Sequence, residues 1–545
     1  SQVSFLHESD LIKIPTDENM IFSLKVFYNG TPEHCGAGGF KFDNHLDIDH
    51  VWTLSEAYCA RSWWPCKDDP SDKADSVNIK VTVPSQPEFI VASNGLLEST
   101  EVNGDKRTFF WKERYPITTY LVSLAIYPYT IWSEQYISPI SNDTMAIEHY
   151  VFPDRYELSY PNYSLTGEML SFFSNLFGEY PFISEKYGHA DFKWGGGMEH
   201  QTLSSMGSFS QNLIVHELGH SWWGNLITCK TFNDIWLNEG FARYCQALWV
   251  ENIDGKQAYF NFMNDHAYYG GGTIYVENPS SNSQIFNSSL SYNKASWVLH
   301  MLRHKVGDEM FFEILKEYAS NDSLAYNAAS TADFQKVCED ISGMDFEQFF
   351  QQWIYGDRYP KYELSWWSDE NDIYKVKIDQ IQSYGIFSMP IDLNFSGSVG
   401  PLSVDTTIVV ENNTASHLYE ISGLDFFVEN VTIDPNNWIL KEATYVTNGI
   451  ENIVAKQINV DIAYPNPFNS TSNLNFYIHP KFGDLLVEIN VLDAKGRLVE
   501  SIVKKEFNPG FHTQLWNAKG KPSGIYFIQL STDNYINTQK VLYLK

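Results

Sequence analysis

The sequence of 545 residues has few basic side chains, few cysteines and no long apolar run. Lysine and arginine together number 37 against 67 acidic residues, so the formal net charge is −30 at pH 7. Nucleic acids and anionic membranes attract cationic surfaces, and this balance therefore argues against both as partners. The simplest consequence of the charge is solubility.

The chain also lacks a segment that predicts membrane insertion. A membrane-spanning helix needs roughly 18 to 20 apolar residues, and the nearest run, TYLVSLAIYPYTIW, is short and rich in tyrosine. We therefore expect no membrane insertion. The chain begins at Ser1 without a methionine, so we expect that any signal peptide has been removed or left out, and its absence here says nothing about export.

The six cysteines include no C-x-x-C pair and are too few for a disulfide-framework scaffold. They permit one to three disulfides in an oxidising compartment, or buried thiols in a reducing one. The remaining composition is that of a folded protein, since 43% hydrophobic and 16% aromatic residues suffice for several sizeable cores. No pattern in the sequence indicates an oligomeric state.

The spacing of apolar residues changes along the chain and predicts a multidomain α+β protein. Residues 1–152 are β-rich, with short runs such as VNIKVTV between turn residues. Helical periods follow over 153–359, for example in SLTGEMLSFFSNLFGEY. Strand alternation returns over 360–442 and predicts a small β-sandwich. Residues 443–460 are expected to form a linker, and 461–545 a separate β module with a hairpin at the turn DAKG.

One stretch, NLIVHELGHSWWGN, sets two histidines four residues apart with a glutamate directly after the first. Four residues is about one helical turn, so His216 and His220 project from one face beside Glu217. This geometry predicts that both imidazoles hold one metal ion, with the carboxylate placed as a general base. The alternative is a chance match on a structural helix.

The same stretch predicts the helix itself. Ser210 is the candidate N-cap, and Ile214, Leu218 and Trp222 form an apolar stripe on another face. The pair Gly224–Asn225 is the candidate end of the helix.

A catalytic zinc ion takes three protein ligands and keeps one position open. The candidate third ligand is Glu239 in WLNEGFARY, 19 residues after His220, on a helix that Asn233 or Asp234 would cap. The alternative for Glu239 is an ion pair with Arg243, one turn later on the same helix. We expect one Zn²⁺ per chain on Glu239 and the two histidines, although cobalt or manganese would suit similar ligands.

The order HELGHSWWGN and then WLNEGFA resembles the aminopeptidase N family of zinc metallopeptidases, gluzincins that include the leukotriene hydrolase-type enzymes. The resemblance extends over most of residues 40–360. It implies a thermolysin-like, mostly α catalytic domain between a β-rich N-terminal domain and the β-sandwich. Family members usually have several more strands before residue 52, so the N-terminal domain is expected to be truncated at its start.

The stretch GGGMEHQTLS is similar to the family's Gly-x-Met-Glu-Asn motif. The resemblance implies that Glu199 holds the protonated α-amine of a substrate by charge-assisted hydrogen bonds, with Gly196, Gly197 and Met198 beside it. His200 stands where the family has Asn, which puts the usual contact to the substrate backbone in doubt. The alternative is a structural glutamate in a glycine-rich loop.

Three further stretches resemble the same family. SEAYCARSWWPCKDDP places Glu56 where relatives carry a second amine contact, the alternative being a solvated loop residue. SYNKASWVLHMLR resembles the family's Tyr-x-Lys-Gly segment, with Ala295 in place of the glycine. It implies that Tyr292 donates a hydrogen bond to the oxyanion of the tetrahedral intermediate. FFQQWIYGDRYP resembles the end of the catalytic domain.

The last segment has a resemblance of its own. Tyr464–Phe468, the turn at Gly496 and Gly524–Tyr526 match, in order, the sorting domain of the type IX secretion pathway in Bacteroidota-type proteins. This implies the type IX secretion machinery as a partner and a secreted or cell-surface location. The alternative is a β-sandwich that binds carbohydrate or another cell-surface component.

Taken together, the resemblances imply a zinc-dependent aminopeptidase that removes the first residue from peptides with a free N-terminus. Two alternatives stay open. One is a zinc hydrolase of another specificity, an endopeptidase or an epoxide hydrolase, and Glu199 argues against the endopeptidase. The other is a catalytically silent surface module.

Overall fold

The computed structural model describes residues 4–8, 11–15, 22–368, 373–399, 402–446, 458–461, 463–478 and 483–545. It divides into two compact units. The first comprises Ser1–Tyr359 with Asn436–Leu440, and the second comprises Pro360–Pro435 with Lys441–Lys545.

The N-terminal part of the first unit is built from strands, as the sequence predicts. These strands are β1 (Leu6–Glu8), β2 (Leu11–Lys13), β3 (Gly39–His45), β4 (Ile48–Leu54), β5 (Val77–Pro84), β6 (Ile90–Ser93), β7 (Leu96–Asn103), β8 (Lys106–Glu113), β9 (Leu124–Tyr127), β10 (Thr130–Ile137) and β11 (Thr144–Val151). A four-stranded sheet has the order β3-β4-β9-β6, and a three-stranded sheet the order β5-β8-β7. A disulfide joins Cys35 to Cys59, which precede and follow β3 and β4.

The tyrosine-rich run that came nearest to a membrane segment forms β9 and β10, with buried Tyr127 and Ile126 in a core beside Trp111. Among the described residues, no helix combines the length and apolarity that crossing a bilayer requires.

Helices dominate the rest of the first unit, again as predicted. They are α1 (Tyr156–Tyr163), α2 (Thr166–Phe177), α3 (Gln211–Gly219), α4 (Trp236–Asp254), α5 (Lys256–Asp265), α6 (Asn282–Ile285), α7 (Ala295–Val306), α8 (Asp308–Ser320), α9 (Thr331–Ser342) and α10 (Glu347–Trp353). The intervening strands are β12 (Lys186–Asp191), β13 (Gly197–Met198), β14 (Ser204–Met206), β15 (Ile227–Cys229) and β16 (Asn327–Ala329). A five-stranded sheet has the order β10-β11-β12-β14-β13, which leaves β13 at its edge.

The pattern of the sequence explains where these helices start and stop. The periodic stretch from Asn293 to Ala319 forms two helices rather than one, because Gly307 between them has φ +83°. That left-handed conformation costs a glycine little and ends α7. Helix α4 is buried along most of its length, and its apolar residues accordingly lie on more than one face.

The second unit consists of strands. Its first group comprises β17 (Lys361–Ser368), β18 (Tyr374–Gln380), β19 (Met389–Val399), β20 (Leu402–Asn412), β21 (Ser416–Ile421), β22 (Phe427–Ile433) and β23 (Glu442–Tyr445). They form two sheets, β21-β18-β17-β23 and β20-β19-β22. The alternation read from the sequence is present in β18, where Tyr374, Val376 and Ile378 are buried and their neighbours are partly exposed.

The last group forms the C-terminal module. Its strands are β24 (Ile458–Val460), β25 (Thr471–Ile478), β26 (Leu485–Asp493), β27 (Leu498–Phe507), β28 (Gly510–Asn517), β29 (Gly524–Ser531) and β30 (Ile536–Tyr543). The sheets β24-β25-β28 and β27-β26-β29-β30 share one core, in which Phe476 and Trp516 meet Val487, Ile489 and Ile528. The hairpin predicted at DAKG joins β26 to β27.

The expected linker 443–460 differs from the structure at both ends. Its first residues belong to β23, and its last three form β24, which pairs antiparallel with β25. A three-residue strand has no periodicity that a sequence pattern could reveal, and only its pairing defines it. Residues 447–457 of the expected linker lie outside the described part of the chain.

A buried arginine holds three helices of the first unit together. The side chain of Arg303, on α7, is 3% exposed and donates to both carboxylate oxygens of Glu251 on α4 and of Asp308 at the start of α8, at 2.6–3.1 Å. We predict that Arg303→Met lowers the free energy of unfolding by about 2 kcal/mol, because it leaves Glu251 without its cation and Asp308 with only the more distant Lys256. Thermal unfolding measures this loss.

The matched control is Lys336→Gln, which removes an exposed ion pair between Lys336 and Asp340 on α9. Its melting temperature is expected to equal that of the wild type. Equal melting temperatures for Arg303→Met and the wild type would contradict the role given to Arg303.

Candidate metal centre and amine-binding site

Three side chains direct their ligand atoms at one another in the first unit. Nε2 of His216 lies 3.2 Å from Oε2 of Glu239 and 3.3 Å from Nε2 of His220. Nε2 of His220 lies 3.4 Å from the same carboxylate oxygen. Two imidazole nitrogens and one carboxylate oxygen are the ligand set of many catalytic zinc ions. The side chains present therefore fit a zinc ion.

Helix α3 places the two histidines as the spacing predicted. It begins at the predicted cap, since Oγ of Ser210 accepts a hydrogen bond from the backbone N–H of Leu213. The predicted end at Gly224 is wrong, because the helix ends at Gly219. Beyond His220 the backbone bonds span five residues instead of four, the first running from the N–H of Asn225 to the carbonyl of His220.

A backbone contact orients the second histidine. Nδ1 of His220 lies 2.9 Å from the carbonyl oxygen of Trp223. A proton on Nδ1 therefore has an acceptor, and Nε2 is left with its lone pair facing the other two ligand atoms. The turn that ends α3 thus serves the cluster directly.

Helix α4 carries Glu239, but the expected caps do not begin it. A short 3₁₀ turn, Phe232–Asp234, precedes α4, and no side chain caps the helix. The carboxylate of Asp234 instead accepts hydrogen bonds from the N–H and hydroxyl of Thr331, and the amide of Asn233 donates to the carbonyl of Val276. Tertiary partners have taken both side chains that the local pattern assigned to capping.

Glu217 lies buried between α3 and the edge strand β13. A Cβ atom on Gly197 would collide with the Glu217 carboxylate, so a side chain at this position would displace that carboxylate. Burial raises the pKa of Glu217 well above its usual value, and the charges of Glu199 and Glu239 raise it further while His220 opposes them. One oxygen of Glu217 lies within 4.8 Å of ligand atoms of Glu199 and His220, so the carboxylate is next to the second histidine.

Glu199 follows β13 and meets Glu56, which comes from the region of the first sheets. Both side chains are buried, and Oε1 of each has no hydrogen-bond partner among the described residues. Burial raises the pKa of Glu199 to about 7, helped by Glu239 and opposed by His220. The pKa of Glu56 is raised by burial and then by Glu199. Two carboxylate oxygens without donors in a buried site are suited to bind a cation.

The neighbours of Glu199 have mainly structural contacts. The carbonyl of Gly196 accepts a hydrogen bond from Gly207, and Met198 is buried in a core cluster. Nδ1 of His200 lies 2.8 Å from the hydroxyl of Ser205, and its buried Nε2 has no hydrogen-bond partner in the described part of the chain.

Tyr292 lies on the other side of the ligand cluster. It belongs to a π-helical turn, Ser288–Lys294, and its ring stacks on that of His216 at 5.9 Å and 19°. Burial raises the pKa of the phenol well above its usual value, and Glu239 raises it further. The phenol is therefore a proton donor at neutral pH.

The departure from the family at Ala295 is accommodated locally. A Cβ on Gly240 of α4 would meet the Cβ of Ala295, so the glycine on α4 provides the room that the missing glycine on α7 would have provided. The backbone of the turn that carries Tyr292 is thereby kept close to α4.

Family profiles match three parts of the chain. The Peptidase family M1 domain matches residues 166–353, and the Peptidase M1 N-terminal domain matches residues 6–121. The Secretion system C-terminal sorting domain matches residues 462–544. The chain belongs to the M1 peptidase family.

Two curated relatives illustrate the similarity. Aminopeptidase M1-C of Oryza sativa subsp. japonica is 25% identical over 395 residues, which cover 66% of this chain and 44% of the rice protein. Glutamyl aminopeptidase of Rattus norvegicus is 27% identical over 340 residues, which cover 56% of this chain and 34% of the rat protein. This M1 peptidase chain therefore spans less than half the length of these relatives.

Solved structures share the fold. Legionella pneumophila aminopeptidase A in complex with aspartic acid has a TM-score of 0.66 at 15% identity, covering 77% of this chain and 50% of that chain. A mutant M1 zinc metallopeptidase from Deinococcus radiodurans, bound to a Tyr-Ser-Ala substrate, has a TM-score of 0.51 at 26% identity, covering 60% and 74%. The predicted fold class, with β-rich ends and a helical catalytic region, is confirmed.

Sequence reasoning missed two side chains that support the site of this M1 peptidase. Tyr120 is buried and accepts a hydrogen bond at 3.2 Å from the amide of Asn238, whose Oδ1 accepts one from the backbone of Cys229. Burial, Glu56 and Glu199 raise the pKa of Tyr120. No motif contains this tyrosine, and only its contacts distinguish it from the other 32 of the 33 tyrosines.

We predict that Zn²⁺ raises the melting temperature of the metal-free protein, and that His220→Ala loses this rise. Ligand at 100 times its dissociation constant stabilises a protein by about 2.7 kcal/mol, a shift that differential scanning fluorimetry resolves. Glu217→Gln is the matched control, because it changes the neighbouring carboxylate and keeps the three ligands. A full zinc-induced shift in His220→Ala would show that the ion binds elsewhere.

Proposed function

We propose that this M1 peptidase is a zinc-dependent aminopeptidase that hydrolyses the first peptide bond of peptides with a free N-terminus. One observation carries the proposal. The two histidine nitrogens and the Glu239 oxygen lie in the same buried cluster as Glu56 and Glu199, and one carboxylate oxygen of each of these has no donor among the residues that the structure describes. Such a cluster offers ligands to a metal ion and hydrogen-bond acceptors to an ammonium group.

His216, His220 and Glu239 would hold one Zn²⁺, which when bound polarises the scissile carbonyl and makes water a stronger acid. Glu217, buried beside these ligands, accepts the proton of the attacking water and passes it to the leaving amine. Tyr292, whose ring lies against His216, donates its phenol proton to the oxyanion as a hydrogen bond.

The buried carboxylates Glu199 and Glu56 position the substrate. They hold its protonated N-terminus by charge-assisted hydrogen bonds, and this restricts cleavage to the bond one residue away. Gly197 contributes by its lack of a side chain, which lets Glu217 lie against the edge strand. An endopeptidase would gain nothing from two such carboxylates, and no contact in the site favours an epoxide hydrolase or a silent surface module.

We propose the domains 1–152, 153–359, 360–445 and 458–545, with the sorting module last. The bounds expected at 442 and 461 are moved so that β23 and β24 stay with the sheets in which they pair. The match of residues 462–544 to a secretion sorting domain supports export to the cell surface or the medium through the type IX machinery.

The test is hydrolysis of aminoacyl-naphthylamides, each with a free and with an acetylated N-terminus, by enzyme treated with a chelator and then given zinc. Only free-amine substrates are expected to react, and only after zinc is restored. Glu217→Ala should lower kcat by 10²-fold or more, since general-base catalysis contributes about that much, and it should retain zinc.

Glu199→Gln provides the second comparison. It is expected to raise KM for free-amine substrates at least tenfold, because a neutral amide binds ammonium more weakly than a carboxylate does. Equal rates on free and acetylated substrates would overturn the amine site. Full activity of Glu217→Ala would overturn the general base.

A further inference from the structure

Arg243 lies one helical turn after Glu239, yet the ion pairs of the described residues join Glu239 to the two histidines and not to Arg243. Nη1 of Arg243 donates to Oε1 of Gln246 at 2.9 Å, and its guanidinium carbon lies 5.9 Å from the ring centre of Tyr292. Its Nε is buried and has no hydrogen-bond partner among the described residues.

A second contact holds this arginine in place. Nε2 of Gln246 donates to the backbone carbonyl of Asn212 at 2.6 Å, which ties the partner of Arg243 to the start of α3. A guanidinium has five N–H donors in a rigid fork, and within the described part of the chain Arg243 uses one of them, to Gln246. The unused donors suit a planar, two-oxygen acceptor.

The cluster has a buried side and a partly exposed side, which differ in the side chains that they present. Glu56 and Glu199 are 5% and 3% exposed, whereas Arg243, Tyr292 and His216 are each partly exposed. A substrate whose ammonium group lies at the buried carboxylates therefore has its following residue nearer the exposed side of the cluster. Arg243 brings positive charge to that side, next to the phenol.

We propose that Arg243 binds a carboxylate on the residue that leaves, above all the free C-terminal carboxylate of a dipeptide. This inference rests on the proposed aminopeptidase function. The cluster would then recognise both ends of a zwitterionic dipeptide, with carboxylates for its ammonium and a guanidinium for its carboxylate. Arg243 is a specificity-determining residue in this scheme, and the bond-breaking groups are those already described.

The experiment compares three substrates with the same first residue, chosen from the naphthylamide series. They are the X-Ala dipeptide, its C-terminal amide X-Ala-NH₂, and X-Glu-NH₂, whose only carboxylate is in its side chain. The readout, measured for each variant, is kcat/KM for the X-Ala dipeptide divided by kcat/KM for X-Ala-NH₂. A general loss of activity lowers both values equally and leaves this ratio unchanged. The wild type is expected to prefer the X-Ala acid at least tenfold, the size of one charge-assisted hydrogen bond.

Arg243→Gln should lower this ratio to about one, mainly by raising KM for the acid, while Arg243→Lys should retain part of it. The control is Arg107→Gln, which removes a partly buried arginine paired with Glu88 in the N-terminal region and should leave the ratio at its wild-type value. A wild-type preference for X-Glu-NH₂ over X-Ala-NH₂ that Arg243→Gln removes also supports the inference, and assigns the side chain as a source of the carboxylate.

Two results would overturn the inference. One is a ratio near one in the wild type. The other is an equal loss on all three substrates in Arg243→Gln, which would mean that the arginine only supports Tyr292. These outcomes differ from failure of the aminopeptidase proposal, because naphthylamides carry no carboxylate and report that activity alone.

A binding measurement separates recognition from turnover. In zinc-loaded Glu217→Gln, the X-Ala acid should raise the melting temperature more than its amide does, and the added change Arg243→Gln should remove the difference.

Discussion

The arrangement of the site depends on the packing of α3 against α4, which holds the carboxylate of Glu239 within 3.4 Å of both histidine nitrogens. Four buried carboxylates, Glu56, Glu199, Glu217 and Glu239, act on one another there, and burial raises the pKa of three of them. In Glu239 alone the histidines outweigh burial and lower the pKa. Such a concentration of negative charge is costly without cations. A metal ion at one end and an ammonium group at the other would offset that cost.

The sequence predicts those contacts of the site that join residues close together in the chain, and it predicts contacts between distant residues less well. His216 and His220 meet within one turn of one helix, so their spacing alone predicts their contact. Glu239 comes from the next predicted helix, and the sequence alone left an ion pair with Arg243 open as its alternative. Glu56 comes from a more distant element and was predicted only through the resemblance to a family. The caps assigned to Asn233 and Asp234 were wrong because contacts with distant residues, such as that of Asp234 with Thr331, replaced local ones.

The strand regions show the same division between local and distant information. Alternation over seven or more residues predicted β18 and β26, because each has one face in a core. The three-residue strand β24 carries no such signal, and it exists because the edge of β25 offers it hydrogen bonds. Short edge elements are therefore the part of this fold that a single sequence predicts least well. The two-residue edge strand β13 was not predicted at all, and only the motif GGGMEHQTLS identified Glu199 directly after it.

The overall charge of −30 gives little guide to what the site prefers, since it is spread over the whole chain. Local placement decides: the buried carboxylates lie deep in the cluster, and the guanidinium of Arg243 lies beside the partly exposed phenol of Tyr292. Charges in a buried environment act over a few ångströms more strongly than many exposed charges do at a distance. A highly acidic protein can therefore favour an anionic group at one end of its substrate. The ion pair with Glu239 that helical spacing would favour is given up to the histidines, and the arginine is left available for such a group.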